Sequence, residues 1–173
     1  MVTAGHIEDM DTTGDPVYEY RWYWRNLRVG TMVDAIAGGW GLDGGIYEPV
    51  DGIEFTNTIL GKPIYGWTYP VFMGQKLLHS SQFTGRIDVI TIVTYINSEY
   101  DYYFAEGHEN FDYIAGIKGE SGSASCFRVA GVYNLVTGVV THGIGEEIDG
   151  GEYDCICCTT IPQLIDLFGI AQP

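Results

Sequence analysis

Ser121 stands in the stretch "GESGSAS", residues 119–125, with Gly119 and Glu120 before it and Gly122 after it. Glycines at this spacing serve a chain that bends sharply, so the pattern thrusts one hydroxyl outward and leaves backbone amides exposed beside it. Aimed the same way, the amides of Gly119 and Ser121 would hold an oxygen anion formed next to that hydroxyl. A serine attacks only when a base takes its proton, and the chain offers four histidines, His6, His79, His108 and His142. His6 follows the small residues of "VTAG", which put its imidazole at a strand end with room to face a cleft. His142 follows an apolar strand-like run and is expected to line the same cleft as Ser121, whereas His108, in the acidic "EGHEN", is expected to be solvated. A histidine base needs a carboxylate on its second nitrogen to fix the tautomer and stabilise the imidazolium. Asp43 in "WGLDGGIYEP" is the best placed, because Gly44 and Gly45 let another segment approach closely; Asp34 and Asp51 are rivals on composition alone.

The elements that must position these groups read as β-structure. Twenty-four glycines, 13 tyrosines and few runs of strong helix formers describe short strands joined by turns. Strands are predicted over 18–25, 28–36, 45–49, 75–80, 86–96, 100–105, 111–117, 123–129, 135–141 and 152–159. One helix is predicted, over 162–168, with Pro162 in its first turn, an apolar face of Leu164, Ile165, Leu167 and Phe168, and Gly169 as terminator. The Gly- and Pro-rich "GKPIYGWTYP", residues 61–70, shows no alternation and is read as a linker between two β units, residues 1–66 and 67–173. Sandwich and barrel are equally compatible with this spacing of strands.

A chain of 173 residues is long enough for a sizeable core. A net charge of −15 repels nucleic-acid phosphates and anionic membrane surfaces, so neither is an expected partner. No apolar run approaches the roughly 20 residues that span a bilayer. Four cysteines, Cys126, Cys155, Cys157 and Cys158, allow one or two disulfides and favour an oxidising compartment. Zinc is the competing reading, but C-x-C-C lacks the paired C-x-x-C spacing and no histidine lies close in sequence; no metal and no cofactor are expected.

Taken in order, "TAGH", then Asp43 in "DGGI", then "GESGS" resemble the trypsin-like (chymotrypsin-fold) serine peptidases, most closely the streptogrisin and α-lytic branch. Three further stretches agree: "MGQKLLHSSQFTG" resembles the strand that opens the second barrel, "GVVTHG" the strand that binds substrate backbone, and "TTIPQLIDLFGI" the closing helix. The resemblance implies an all-β fold of two antiparallel barrels with a short C-terminal helix. Only 1–5 precede His6, where the family carries two strands, so the first barrel is expected to be incomplete at its N-terminus. The resemblance further implies that His6 is the general base, Asp43 its orienting carboxylate, Ser121 the nucleophile and the amides of Gly119 and Ser121 the oxyanion hole. Thr141, His142, Gly143 and Lys118 are the implied substrate-binding residues, with 114–118 shaping a pocket for small or apolar side chains. Glu120 replaces the family's aspartate, and a Glu120–His79 contact is the implied substitute for its arginine partner. A disulfide from Cys126 to Cys155, Cys157 or Cys158 is implied because their strands share one barrel. The expected function is that of a secreted, monomeric serine endopeptidase acting on polypeptides; the alternative is a truncated, inactive homologue acting as a binding or decoy protein.

Overall fold

The computed structural model describes residues 1–3, 13–19, 27–79, 89–108, 113–117, 121–145 and 151–170. The first sheet contains β1 (Val2–Thr3), β2 (Pro16–Glu19), β3 (Leu27–Ala37) and β4 (Asp43–Pro49) in the order β1-β4-β3-β2. All of its pairings are antiparallel, with Ala37 opposite Asp43 at the closed end of the β3–β4 hairpin and Gly45 opposite Thr3. Val17, Val29 and Met32 form its apolar centre, packed by Leu27, Ala35 and Tyr47.

The second sheet is built from β5 (Thr58–Ile59), β6 (Lys62–Trp67), β7 (Lys76–His79), β8 (Val89–Asn97), β9 (Tyr102–Gly107), β11 (Ala124–Val129), β12 (Tyr133–Ile144) and β14 (Cys155–Thr160). Between them lie the two short strands β10 (Gly116–Ile117) and β13 (Glu152–Tyr153), which among the described residues pair only with each other. The order β11-β7-β8-β9-β14-β12 closes on itself through a β11–β12 pairing, giving a six-stranded antiparallel barrel. Closure removes the sheet edges that invite unwanted pairing. Val71, Leu77, Val93, Tyr103, Ala105, Val140, Ile156 and Cys158 fill its interior. The all-β architecture, closed barrel and terminal helix expected from the sequence are therefore present.

Residues 61–70 differ from expectation. Lys62–Trp67 is β6, which pairs with β5 and runs parallel to β12, Asn134 lying opposite Ile64. Ile64, Tyr65 and Trp67 supply the strand preference, and a free flank of β12 supplies the partner, which local composition does not reveal. The predicted strand over 152–159 is likewise two, broken between Tyr153 and Cys155.

Helix α1 (Ile161–Phe168) begins one residue before the predicted 162 and ends where predicted. Thr160 caps it by accepting from the Gln163 amide, Pro162 sits in the first turn, and Gly169 ends it with φ 59°. Leu164, 1 % exposed, lies against Gly44, where a side chain would collide with it and with Phe168. The chain's end thus buttresses β4 one residue from Asp43. No described helix is long and apolar enough to cross a membrane.

The expected disulfide is absent: none of the four cysteines is disulfide-bonded. The physical reason is the strand order. β12 separates β11 from β14, so Cys126 lies two strand spacings, roughly 9–10 Å, from the strand carrying the other three. A disulfide needs Cα atoms within roughly 7 Å.

Burial pushes the Cys155 thiol up to about 11 and the Cys157 thiol up to about 12, and it raises Cys158 further. Below the ordinary thiol value, near 8.5, these groups are protonated whether the chain is folded or not. Above it the unfolded chain ionises while the folded one resists, so stability is full at neutral pH and declines as pH rises from about 8.5 towards 11–12. The urea midpoint is expected to fall steadily over that interval. A midpoint constant from pH 8 to pH 11 would contradict the buried-thiol arrangement.

Candidate active site

The β3–β4 turn places Asp43. Gly39 (φ 94°) and Gly41 (φ 75°) adopt left-handed backbone, and the Gly38 amide donates to the Leu42 carbonyl (2.8 Å), closing a tight loop whose next residue is Asp43. Asp43 is 1 % exposed, whereas its rivals Asp34 and Asp51 lie exposed. Burial separates three carboxylates that composition left equal.

A buried carboxylate is tolerated where it is paired, and Asp43 Oδ2 lies 3.4 Å from Nε2 of His142 on β12. β12 is irregular at that point: Val140 faces Cys158 and His142 faces Cys157, a bulge that leaves Thr141 out of register. Thr141 turns inward, wholly buried, its hydroxyl donating to the Cys157 carbonyl (3.2 Å). Cys157 backs the same spot. Its thiol is raised first by burial and further by the nearby Asp43 charge, against the pull of the Thr141 hydroxyl and the Gly41 amide.

Ser121 reaches this place from the turn before β11. Gly122 has φ 92°, its amide donates to the Val140 carbonyl (2.8 Å), and the Val140 amide donates to the Ser123 carbonyl (2.8 Å). The half-buried Ser121 hydroxyl then donates to the Thr141 carbonyl (3.0 Å). Ser121 and Asp43 are thereby brought to two adjacent positions of β12, Thr141 and His142.

Beyond Val139 the pairing of β12 with β11 ends, while its pairing with β14 continues to Ile144. Among the described residues no strand occupies the other edge of 142–144. That edge, beside Ser121, suits an extended peptide added as a strand. Gly143 is exposed, and the ring of Tyr153 packs where a side chain at Gly143 would stand. The Ala115 amide donates to the Tyr153 carbonyl (2.8 Å) and Gly116 pairs with Tyr153, so the 114–117 segment borders the same space.

Of the residues expected from the sequence, Asp43, Ser121, Thr141, His142 and Gly143 come together. His6, Lys118, Gly119 and Glu120 lie outside the described residues, and with them the Glu120–His79 contact. His79 itself is wholly buried on β7, opposite Ser125 and Val89. His108 is half-buried rather than solvated, its amide donating to the Ile90 carbonyl (3.2 Å). Two contacts escaped the sequence reading. The His142–Asp43 pair had no signal, because spacing matched Asp43 to His6 alone. Tyr153 in "EYD" carries no pattern that marks it as a pocket residue.

No family model matches the sequence, and no curated protein matches it. Solved structures do resemble the fold. One is a chymotrypsin from Cellulomonas bogoriensis, 17 % identical, with a TM-score of 0.63 over 99 % of this chain and 84 % of that one. Another is a glutamic-acid-specific serine protease described as using a histidine triad in substrate binding, 16 % identical, with a TM-score of 0.65 over 99 % of this chain and 85 % of that one. At such low identity the likeness speaks for architecture alone: the chain has the chymotrypsin-like fold of serine proteases.

Proposed function

We propose that the chain is a serine endopeptidase that hydrolyses polypeptides through an acyl-enzyme intermediate, working as a secreted monomer without a cofactor. The observation that carries this reading is the convergence of Ser121 and Asp43 on adjacent residues of β12, Thr141 and His142, beside an open strand edge. In the proposed reaction Ser121 Oγ attacks the scissile carbonyl carbon while its proton passes to His6. The amides of Gly119 and Ser121 receive the oxyanion, and His6 then returns the proton to the leaving amine. Water enters next and gives a proton to His6 as its oxygen bonds to the acyl carbon; His6 then returns that proton to Ser121 Oγ as the acyl bond breaks and the acid leaves. Asp43 holds the imidazole and offsets its charge.

The packing of Tyr153 on Gly143 supports small side chains at the residue preceding the cut, because the ring takes up room in the space bordered by Gly143 and 114–117. An unstructured peptide library analysed by mass spectrometry is expected to be cut after small residues. In Tyr153→Ala, the ratio of kcat/KM for large over small apolar residues is expected to rise at least about tenfold. Cleavage after Arg or Lys, or a preference unmoved in Tyr153→Ala, contradicts this pocket; an uncut library contradicts the peptidase reading itself.

A further inference from the structure

The strand edge that would receive substrate runs out among acids. Residues 143–154 include Glu146, Glu147, Asp149, Glu152 and Asp154 and no Lys or Arg, the first three acids lying outside the described residues. Asp154, exposed between β13 and β14, brings its carboxylate to 3.3 Å from where a side chain on Gly145 would begin, and glycine leaves that carboxylate uncovered. The Asp154 carbonyl accepts from the Gly107 amide (2.8 Å), which fixes it beside the end of β9. Glu106, the exposed neighbour of Gly107, stands opposite Cys155, and Cys155 on its other side stands opposite Ile144 of β12. The Cys155 thiol feels both acids: it is raised first by burial, then by the charges of Glu106 and Asp154. Two carboxylates therefore flank the end of β12. Among the described residues neither has a Lys or Arg at ion-pair distance; Lys76, the cation on that row of the sheet, stands two strands beyond Glu106, across Ile92.

We propose that the end of β12 selects polypeptides that carry Lys or Arg about three to five residues before the cut, with Asp154 and Glu106 as the residues that set the preference. The proposal rests on the reading of Ser121 as the nucleophile and of 142–144 as the edge that takes substrate. β11 pairs antiparallel with this same edge of β12 up to Val139, and a peptide that continues the pairing runs the same way. With its scissile carbonyl at Ser121, beside Thr141, such a peptide sends its preceding residues towards Gly145. Gly145 lies four residues beyond Thr141, roughly 13 Å along a strand, which sets the position of the selected residue. The methylene stem of a Lys or Arg lets its charge reach both carboxylates from an extended backbone. The net charge of −15 adds a long-range pull on cationic chains and repels acidic ones. Backbone pairing supplies the grip, and charge supplies the choice.

Peptides identical except for Lys, Ala or Glu four residues before the cut, and a further peptide with Lys after the cut instead, are given to the wild-type chain and to the double variant Asp154→Asn, Glu106→Gln. Both substitutions fall at exposed sites. In about 0.02 M salt, kcat/KM is expected to be about fivefold higher for Lys than for Ala and lower still for Glu, the difference lying in KM. The Lys-to-Ala ratio is expected to approach one in the double variant, and also in about 0.5 M salt. A ratio near one in the wild type, a ratio unchanged in the folded double variant, or a gain only from Lys after the cut overturns the proposal. Should the double variant fail to fold, salt decides, and a ratio that does not fall in about 0.5 M salt overturns it. If the wild-type chain cuts none of these peptides, fluorescence anisotropy with the labelled Lys peptide separates the two readings. Salt-sensitive binding then supports the selective edge and overturns the peptidase reading alone, whereas absence of binding overturns both.

Discussion

Ser121→Ala is expected to lower kcat for peptide and ester substrates by on the order of a millionfold while leaving the chain folded. Residues of a triad act as a unit, and losing the nucleophile costs nearly as much as losing all of them. The structural cost is small by comparison. The Ser121 hydroxyl donates to the Thr141 carbonyl, a bond that contributes about 1 kcal/mol. The turn itself depends on Gly122 and on the backbone bonds of Gly122 and Val140, which alanine leaves in place. Turnover by protein free of wild-type contamination, together with thermal unfolding followed by circular dichroism, checks this. Retention of more than about a hundredth of the activity would remove Ser121 from the role of nucleophile.

Asp43→Asn is expected to lower kcat by on the order of ten-thousandfold at neutral pH, because an amide in that place favours the wrong tautomer of the base and no longer offsets its charge. Shape is nearly conserved, so the β3–β4 turn and the packing of Leu164 on Gly44 should survive. Asp34→Asn, at an exposed site on β3, serves as the control and is expected to leave kcat near that of the wild type. Equal effects of the two substitutions would contradict the assignment of Asp43.

Much of this architecture was legible in the residues because local chemistry and tertiary role coincide. The C-terminal helix shows the coincidence most fully. Pro162 and Gly169 each have one favoured place at a helix end, and each occupies it. The turn at Ser121 and the close packing beside Asp43 were legible for a related reason: Gly122 takes left-handed backbone and Gly44 leaves room for Leu164. β6 was hidden because its partner, β12, is distant in sequence and its own residues spell a turn. The cysteines misled because membership of one barrel says nothing about adjacency, and β12 stands between Cys126 and the rest. His142 was expected to touch substrate, yet its pairing with Asp43 depends on a bulge at Thr141 that nothing in "VVTHG" announces.

The central claim is that Ser121 is an activated nucleophile. A fluorophosphonate labels such a serine by phosphylating its oxygen with loss of fluoride, the serine proton going to the base. Intact-protein mass spectrometry followed by peptide mapping is predicted to find one adduct per chain, at Ser121, formed by the folded protein and not by the urea-unfolded one. A folded chain that takes up no label, or that carries it on another residue, would contradict the account.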